Sequence, residues 1–200
     1  MDCHKLKAML SPSRPFVLID RDGTLNVEVN YLSRPDDLAL IPGAGPALAR
    51  LQAAGYGVVV VTNQSGLARG YFTPADLEAV HARLGELLAA HGVRLDAIEV
   101  CPHGPDDDCD CRKPRPGMVL RAAARLGFDP GAAIVIGDKP ADIGLGRAVG
   151  ARTILVRTGY GAETEAAGIA HPDAPDAIVD DLPAAIELIL AGGPTPEPRR

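Results

Sequence analysis

Phe16-Val17-Leu18-Ile19-Asp20-Arg21-Asp22-Gly23-Thr24 carries an apolar run straight into two carboxylates, one residue apart, beside a glycine turn. The run is apolar at consecutive positions, so both of its faces need cover. That pattern predicts a strand over 16–20 in a parallel sheet sandwiched between helices. An aspartate at the exit of such a strand, with a second one next but one to it, reads as a nucleophile, Asp20, and its proton partner, Asp22.

Outward from this stretch the same kind of run recurs at 58–63, 97–100, 132–137, 153–156 and 177–179. Segments of helical period lie between the runs at 45–54, 74–90, 117–126, 140–149 and 182–190, with Pro at several starts and Gly at the stops. Strands alternating with helices predict an α/β three-layer sandwich around a mainly parallel sheet. The gaps between motifs hold a loop and a helix or two, too little for a separate cap domain. The expected organisation is a free N-terminus over 1–14, one domain over 15–191 and a disordered tail over 192–200, whose Gly-Gly-Pro-Thr-Pro-Glu-Pro-Arg-Arg can bury nothing.

Two further polar clusters close strands: Thr62-Asn63-Gln64-Ser65 after 58–61, and Gly137-Asp138-Lys139 after 134–136. Each alone reads as a cap or an ordinary strand ending. In an open parallel sheet, however, all C-terminal strand ends share one edge, and ligands bind in the crevice outside it. Brought together there, the clusters describe phosphoryl transfer through a phosphorylated Asp20, with Thr62 donating to a phosphoryl oxygen and Lys113 supplying positive charge. Several carboxylates facing a phosphate require a divalent cation, and all-oxygen ligands favour Mg²⁺. Asp20, Asp138 and the main-chain carbonyl of Asp22 are its expected ligands, and Asp142, one turn beyond Asp138, is placed to orient the lysine or a metal-bound water.

The composition sets the limits. The chain has 200 residues, 46% of them hydrophobic, and a formal charge of −6. That length suits one domain with a sizeable core, and the acidic balance argues against nucleic acid or an anionic membrane as partner. The first fifteen residues lack an apolar targeting run and no membrane-length apolar stretch follows, so the expected location is the cytoplasm. Three of the 4 cysteines crowd together in Cys101-Pro102-His103 and Cys109-Asp110-Cys111. Three thiolates and an imidazole make a closed tetrahedral set for structural zinc, whereas a disulfide between Cys109 and Cys111 would be strained and would leave His103 unexplained. The zinc loop 101–111 runs directly into Arg112 and Lys113, so zinc would act on catalysis by holding both cations in place.

Asp20-Arg21-Asp22-Gly23-Thr24-Leu25, Val61-Thr62-Asn63-Gln64-Ser65-Gly66, Cys111-Arg112-Lys113-Pro114 and Gly137-Asp138-Lys139-Pro140-Ala141-Asp142 occur in this order. They resemble the four motifs of the haloacid-dehalogenase-like (HAD) phosphatases, and the likeness runs from about residue 16 to 190. Within that superfamily the chain is most similar to the branch acting on D-glycero-D-manno-heptose 1,7-bisphosphate, whose neighbour is the histidinol-phosphate phosphatases. The resemblance implies an HAD-like Rossmannoid fold, Asp20 as nucleophile, Asp22 as acid/base, and Thr62 and Lys113 as phosphoryl stabilisers with Arg112 beside them. It also implies Mg²⁺ at Asp20, Asp22 and Asp138, and zinc at Cys101, His103, Cys109 and Cys111. Substrate contacts are implied at Glu28, Val29, Asn30, Tyr31, Thr62, Asn63, Gln64, Ser65, Arg112, Lys113 and Lys139. The implied role is removal of the 7-phosphate during nucleotide-activated heptose synthesis, by a monomer.

A bisphosphorylated sugar would need a second anionic pocket, for which Arg69, Arg112, Arg115, Lys139 and Arg157 are candidates. Glu28 could instead meet the amine of histidinol phosphate, so that substrate stays open as the alternative. A phospho-aspartate signalling domain and a zinc-centred nucleic-acid module are two readings from other classes. The first has no use for a zinc loop, and in the second Asp106-Asp107-Asp108 would repel a phosphate backbone. His81 and His91 read as surface or packing residues, and Tyr160 carries no functional signal.

Overall fold

The computed structural model describes residues 14–168 and 174–192. The expected free ends, 1–14 and 192–200, therefore lie outside the described residues apart from Arg14 and Gly192, as do Cys3 and His171. Six strands, β1 (Phe16–Ile19), β2 (Gly57–Asn63), β3 (Ala97–Cys101), β4 (Ile134–Gly137), β5 (Arg152–Val156) and β6 (Ala177–Val179), form one parallel sheet in the order β3-β2-β1-β4-β5-β6.

The unbroken apolar runs explain the layering. All of β1 is buried, with Val17 and Ile19 pointing into one core and Phe16 and Leu18 into the other; Val58 and Val60 of β2 alternate with Val59 and Val61 in the same way. Helices α1 (Ala44–Ala53), α2 (Pro74–Ala89) and α6 (Leu182–Ala191) cover the first face through Leu48, Leu84 and Ile186. Helices α3 (Gly117–Leu126) and α4 (Pro140–Val149) cover the second through Met118, Ala122 and Leu145. At roughly 1.5–3 kcal/mol for each fully buried aliphatic side chain, neither face could be left to solvent. No helix among the described residues is long and apolar enough to cross a membrane.

Apart from one-residue shifts at other element ends and a 3-10 turn at Pro35–Asp37, three details differ from the sequence expectation. β4 starts at Ile134 because Pro130–Ala132 forms a 3-10 turn, capped by the Asp129 carboxylate accepting from Gly131 N–H. β3 runs on to Cys101, so the first cysteine of the zinc loop is anchored in the sheet. A short helix, α5 (Gly161–Ala167), follows β5 where no helix was expected; it is largely polar and buries only Gly161 and Thr164, too little for an apolar period to register.

The order of strands decides where chemistry can occur. The chain runs from β1 outward through β2 to β3, then crosses back to place β4 on the other side of β1, and this reversal of strand order opens a crevice at the C-terminal end of β1. Asp20 is tied to that edge by its N–H, which donates to Ile136 carbonyl at 2.9 Å.

Candidate active site

Asp20, 5% exposed, stands at the floor of the crevice, and the buried Lys113 meets it. Lys113 Nζ lies 2.6 Å from Asp20 Oδ1 and 2.6 Å from Asp142 Oδ1, and donates to Val61 carbonyl at 2.9 Å. Burial alone would drive a proton off the ammonium, but Asp142 and Asp20 hold its pKa above the usual lysine value. Burial pushes Asp20 up to about 8, with Asp142 and Asp138 adding to the rise and Lys113 opposing it. The main chain of Lys113 is held too: its N–H donates to Asn63 Oδ1 at 3.0 Å, and Asn63 Nδ2 donates to its carbonyl at 3.3 Å. Asn63, expected as a substrate contact, thus also positions the lysine.

Asp22 faces a different environment. Its carboxylate accepts from Arg21 Nε and Nη2, from Asn26 Nδ2 at 3.1 Å and from Gln64 Nε2 at 2.9 Å. Burial works to raise its pKa, yet the Arg21 guanidinium and these donors hold it below the usual carboxylate range. Gln64 Nε2 also donates to Thr62 Oγ1 at 2.8 Å, linking Asp22 to the buried threonine. Arg21 is fully buried, and its Nη1 stands 3.0 Å from His81 Nε2. Burial and the neighbouring guanidinium push that imidazole down to about 4. His81, read from sequence as a surface or packing residue, is therefore bonded to the partner of Asp22.

The carboxylates of Asp20, Asp138 and Asp142 gather within 4.8 Å of one another. The side chain of Asp22, expected as a metal ligand, is not among them; it is turned to Arg21, Asn26 and Gln64. Burial raises Asp138 to about 6, with Asp142 adding and Lys139 opposing. Its Oδ2 accepts from Tyr160 N–H at 2.8 Å, while its buried Oδ1 has no hydrogen-bond partner. An orphaned carboxylate oxygen among acidic groups held up in pKa fits a hard divalent cation. The fit depends on backbone: Gly23 and Gly159, at φ 86° and 58°, press against the Asp138 carboxylate so closely that a Cβ at either position would collide with it.

Two cavities that share lining residues lie over this floor. The inner one, about 60 Å³, is lined by Asp20, Asp22, Thr62, Lys113 and Lys139 among others. The outer one, about 260 Å³, adds Glu28, Tyr31, Ser65 and Tyr160, and Val29 and Asn30 also line it; Asp22, Asn63 and Lys139 border both. Lys139 Nζ pairs with Glu28 Oε2 at 3.1 Å and sits 4.7 Å from the Tyr160 ring centre. Tyr160 and Thr164, whose hydroxyl donates to Asp138 carbonyl at 2.9 Å, are site residues the sequence reading missed. The signal open to it was Thr158-Gly159-Tyr160-Gly161 at a strand's C-terminal end.

The arginines are dispersed. Arg112 is half-buried and donates to His103 carbonyl at 3.2 Å, Arg69 is exposed on a turn, Arg115 is bound to Asp108 and to Cys109 carbonyl, and Arg157 is held by Glu165 and Asp180. None of the four lines either cavity.

Cys101, His103, Cys109 and Cys111 converge with their ligand atoms within 4.8 Å of one another. Cys101 Sγ lies 3.7 Å from His103 Nδ1 and 3.9 Å from Cys109 Sγ, and His103 Nδ1 lies 3.3 Å from Cys111 Sγ. Zn–S bonds of about 2.3 Å in a tetrahedron space their sulfurs by roughly 3.8 Å, so these edges fit zinc. The three cysteines are free thiols, and burial pushes Cys101 up to about 12, a proton that a metal would displace.

The HAD-hydrolase-like family profile matches residues 110–185. The chain is 44% identical to the D-glycero-β-D-manno-heptose-1,7-bisphosphate 7-phosphatase of Pseudomonas aeruginosa, over 89% of this chain and 99% of that one. It is 42% identical to the D-glycero-D-manno-heptose-1,7-bisphosphate 7-phosphatase of Thermosynechococcus vestitus, over 88% and 95%. Among solved structures, the D,D-heptose 1,7-bisphosphate phosphatase of Bordetella bronchiseptica, complexed with magnesium and phosphate, superposes with a TM-score of 0.84 at 39% identity, covering 90% of this chain and 99% of that one.

Proposed function

Because the chain belongs to the HAD-like hydrolases, in the group of the heptose-1,7-bisphosphate 7-phosphatases, we propose that it hydrolyses the 7-phosphate of D-glycero-β-D-manno-heptose 1,7-bisphosphate. The observation that carries the chemistry is the buried Asp20–Lys113 pair under the inner cavity, with Asp22 beside it.

A lone pair of the Asp20 carboxylate forms a bond to phosphorus while the P–O bond to the sugar breaks. The electrons of that bond stay on the sugar oxygen, which takes a proton from Asp22; Arg21 keeps Asp22 ionised in the free protein, so this proton enters with the substrate, whose negative charge beside Asp22 favours the protonated carboxyl. Water then attacks the phosphorylated Asp20 and gives its proton to Asp22. The Asp20–P bond breaks, the carboxylate is restored and inorganic phosphate leaves. Lys113, Thr62 and the half-buried Lys139 face the phosphoryl oxygens as their charge spreads. Asp20, Asp138 and the main-chain carbonyl of Asp22 would hold Mg²⁺, which would supply a fixed divalent charge against which phosphate and carboxylates can meet. Cys101, His103, Cys109 and Cys111 would hold zinc, which would fix the loop that presents Arg112 and Lys113.

Glu28, Val29, Asn30, Tyr31, Asn63, Gln64 and Ser65 form the sugar's surroundings; Arg112 and Arg69, which lie outside both cavities, would have to swing toward the outer one to meet its remote phosphate. The pairing of Glu28 with Lys139 weighs against histidinol phosphate, because the carboxylate that its amine would seek already has a partner. A monomer working in the cytoplasm on a small phosphorylated sugar completes the proposal.

A comparison of kcat/KM over both heptose bisphosphate anomers, fructose bisphosphate and histidinol phosphate, with Asp20→Asn as blank, tests this. The β-anomer is expected to rank first. Preference for histidinol phosphate would overturn the substrate and leave the chemistry standing; turnover by Asp20→Asn would overturn the chemistry.

A further inference from the structure

The fully buried Arg21 joins two groups. Its Nε and Nη2 edge faces the Asp22 carboxylate, with Nη2–Oδ2 at 2.8 Å, and its Nη1 faces His81 Nε2 at 3.0 Å. A guanidinium can only donate, so His81 Nε2 must be the acceptor and the ring proton must sit on Nδ1. Because the guanidinium is planar, fixing one edge on His81 fixes the direction of the other, and with it the plane of the carboxylate it grips. His81 stands on a rigid mount: its neighbours on α2, Val80 and Leu84, are fully buried in the core. It lines neither cavity, so its influence on a substrate must pass through Arg21.

We propose that His81 is a positioning residue for proton transfer: by accepting from Arg21 it orients the carboxylate of Asp22 toward the leaving oxygen. This rests on the reading of Asp22 as the acid/base. The proton in question passes from Asp22 to the sugar oxygen as its bond to phosphorus breaks and the bond from Asp20 forms. A leaving group stable as an anion, such as 4-nitrophenolate, needs no such proton. His81 therefore matters for alkyl phosphates and not for aryl ones, a distinction that a packing role would not produce.

The test compares kcat/KM, which covers events up to loss of the leaving group, for the sugar bisphosphate and for 4-nitrophenyl phosphate. General acid–base catalysis is worth about 10²–10⁴-fold, and loss of orientation alone should forfeit about tenfold of it. His81→Leu should lower the sugar value about tenfold and leave the aryl value within about twofold, while His81→Gln, which keeps an acceptor for Arg21, restores most of the loss. An equal fall on both substrates, or no fall on either, overturns the proposal. Should His81→Leu fail to fold, His81→Asn, a methylene shorter than the glutamine variant, takes its place. Asp22→Asn separates the two readings. If it shows the same asymmetry in stronger form while His81→Leu does not, only the present inference falls; if it shows none, the acid/base reading falls first.

Discussion

The carboxylate group and the cysteine–histidine group are assembled in opposite ways. Cys101, His103, Cys109 and Cys111 come from one short stretch whose exposed middle, Asp106 to Asp108, has no core beneath it. Asp20, Asp138 and Asp142 come from opposite halves of the chain and are buried where β1 and β4 end side by side. In the first group Cys101 and Cys111 are seated in the core while His103 and Cys109 lie on the loop between them, so the closure of the set depends on what it binds. The second is held by the sheet and is strained electrostatically until a cation arrives. Lys113 belongs to both regions, following the last cysteine by two residues and ending between two of the carboxylates.

The largest effect should come from the remote group. Asp20→Asn is expected to cut kcat by about 10⁴-fold or more, in line with removal of a nucleophile, and to leave bound zinc unchanged by elemental analysis. A variant that also lost zinc would break the separation between the two regions. Stripping zinc with Mg²⁺ in excess is next: loosening the loop should shift Arg112 and Lys113 and lower kcat/KM by about 10–100-fold, as loss of supporting contacts around a metal or catalytic group does. Full activity in a zinc-free sample would overturn the mechanical role of the loop.

The smallest effect sharpens the electrostatic half of the contrast. Asp20 and Asp138 are raised from 3.8 to about 8 and about 6. Groups raised in this way contribute stability that is full below 3.8 and is lost as pH climbs through about 6 and then about 8. Without Mg²⁺ the protein should therefore melt lower at pH 8 than at pH 5.5. Added Mg²⁺ should raise Tm by about 2–6 °C at pH 8, where about 1 kcal/mol corresponds to 2–4 °C in a chain of this size, and by less at pH 5.5. Equal shifts at both pH values, followed by differential scanning calorimetry, would show that the carboxylates carry no such burden.

The same contrast governs what could be read from the sequence. The Cys-x-His-x₅-Cys-x-Cys spacing displays its ligands within one line of text. The strand runs and the Asp20, Thr62, Lys113 and Asp138 motifs were legible because a parallel sheet sends every strand's C-terminal end to one edge. What escaped was pairing between distant residues with no periodic or motif signal: His81 with Arg21, Asn63 with the main chain of Lys113, and Tyr160 and Thr164 with Asp138. Composition suggested a pool of arginines for a second phosphate, yet Arg115 and Arg157 are engaged by nearby carboxylates. A count of cations does not reveal which of them are already neutralised.

The Asp138 carboxylate lies against the bare α-carbons of Gly23 and Gly159, which also face each other. These three positions, drawn from β1's exit, β4's exit and β5's exit, behave as one hereditary unit. A descendant that acquires a side chain at either glycine must shift or surrender the acid, so drift at any one of the three should be accompanied by change at another. The loops that border the outer cavity carry no such bond and can diverge singly. New substrate preferences would then arise there, on a metal-facing triplet that changes together or not at all.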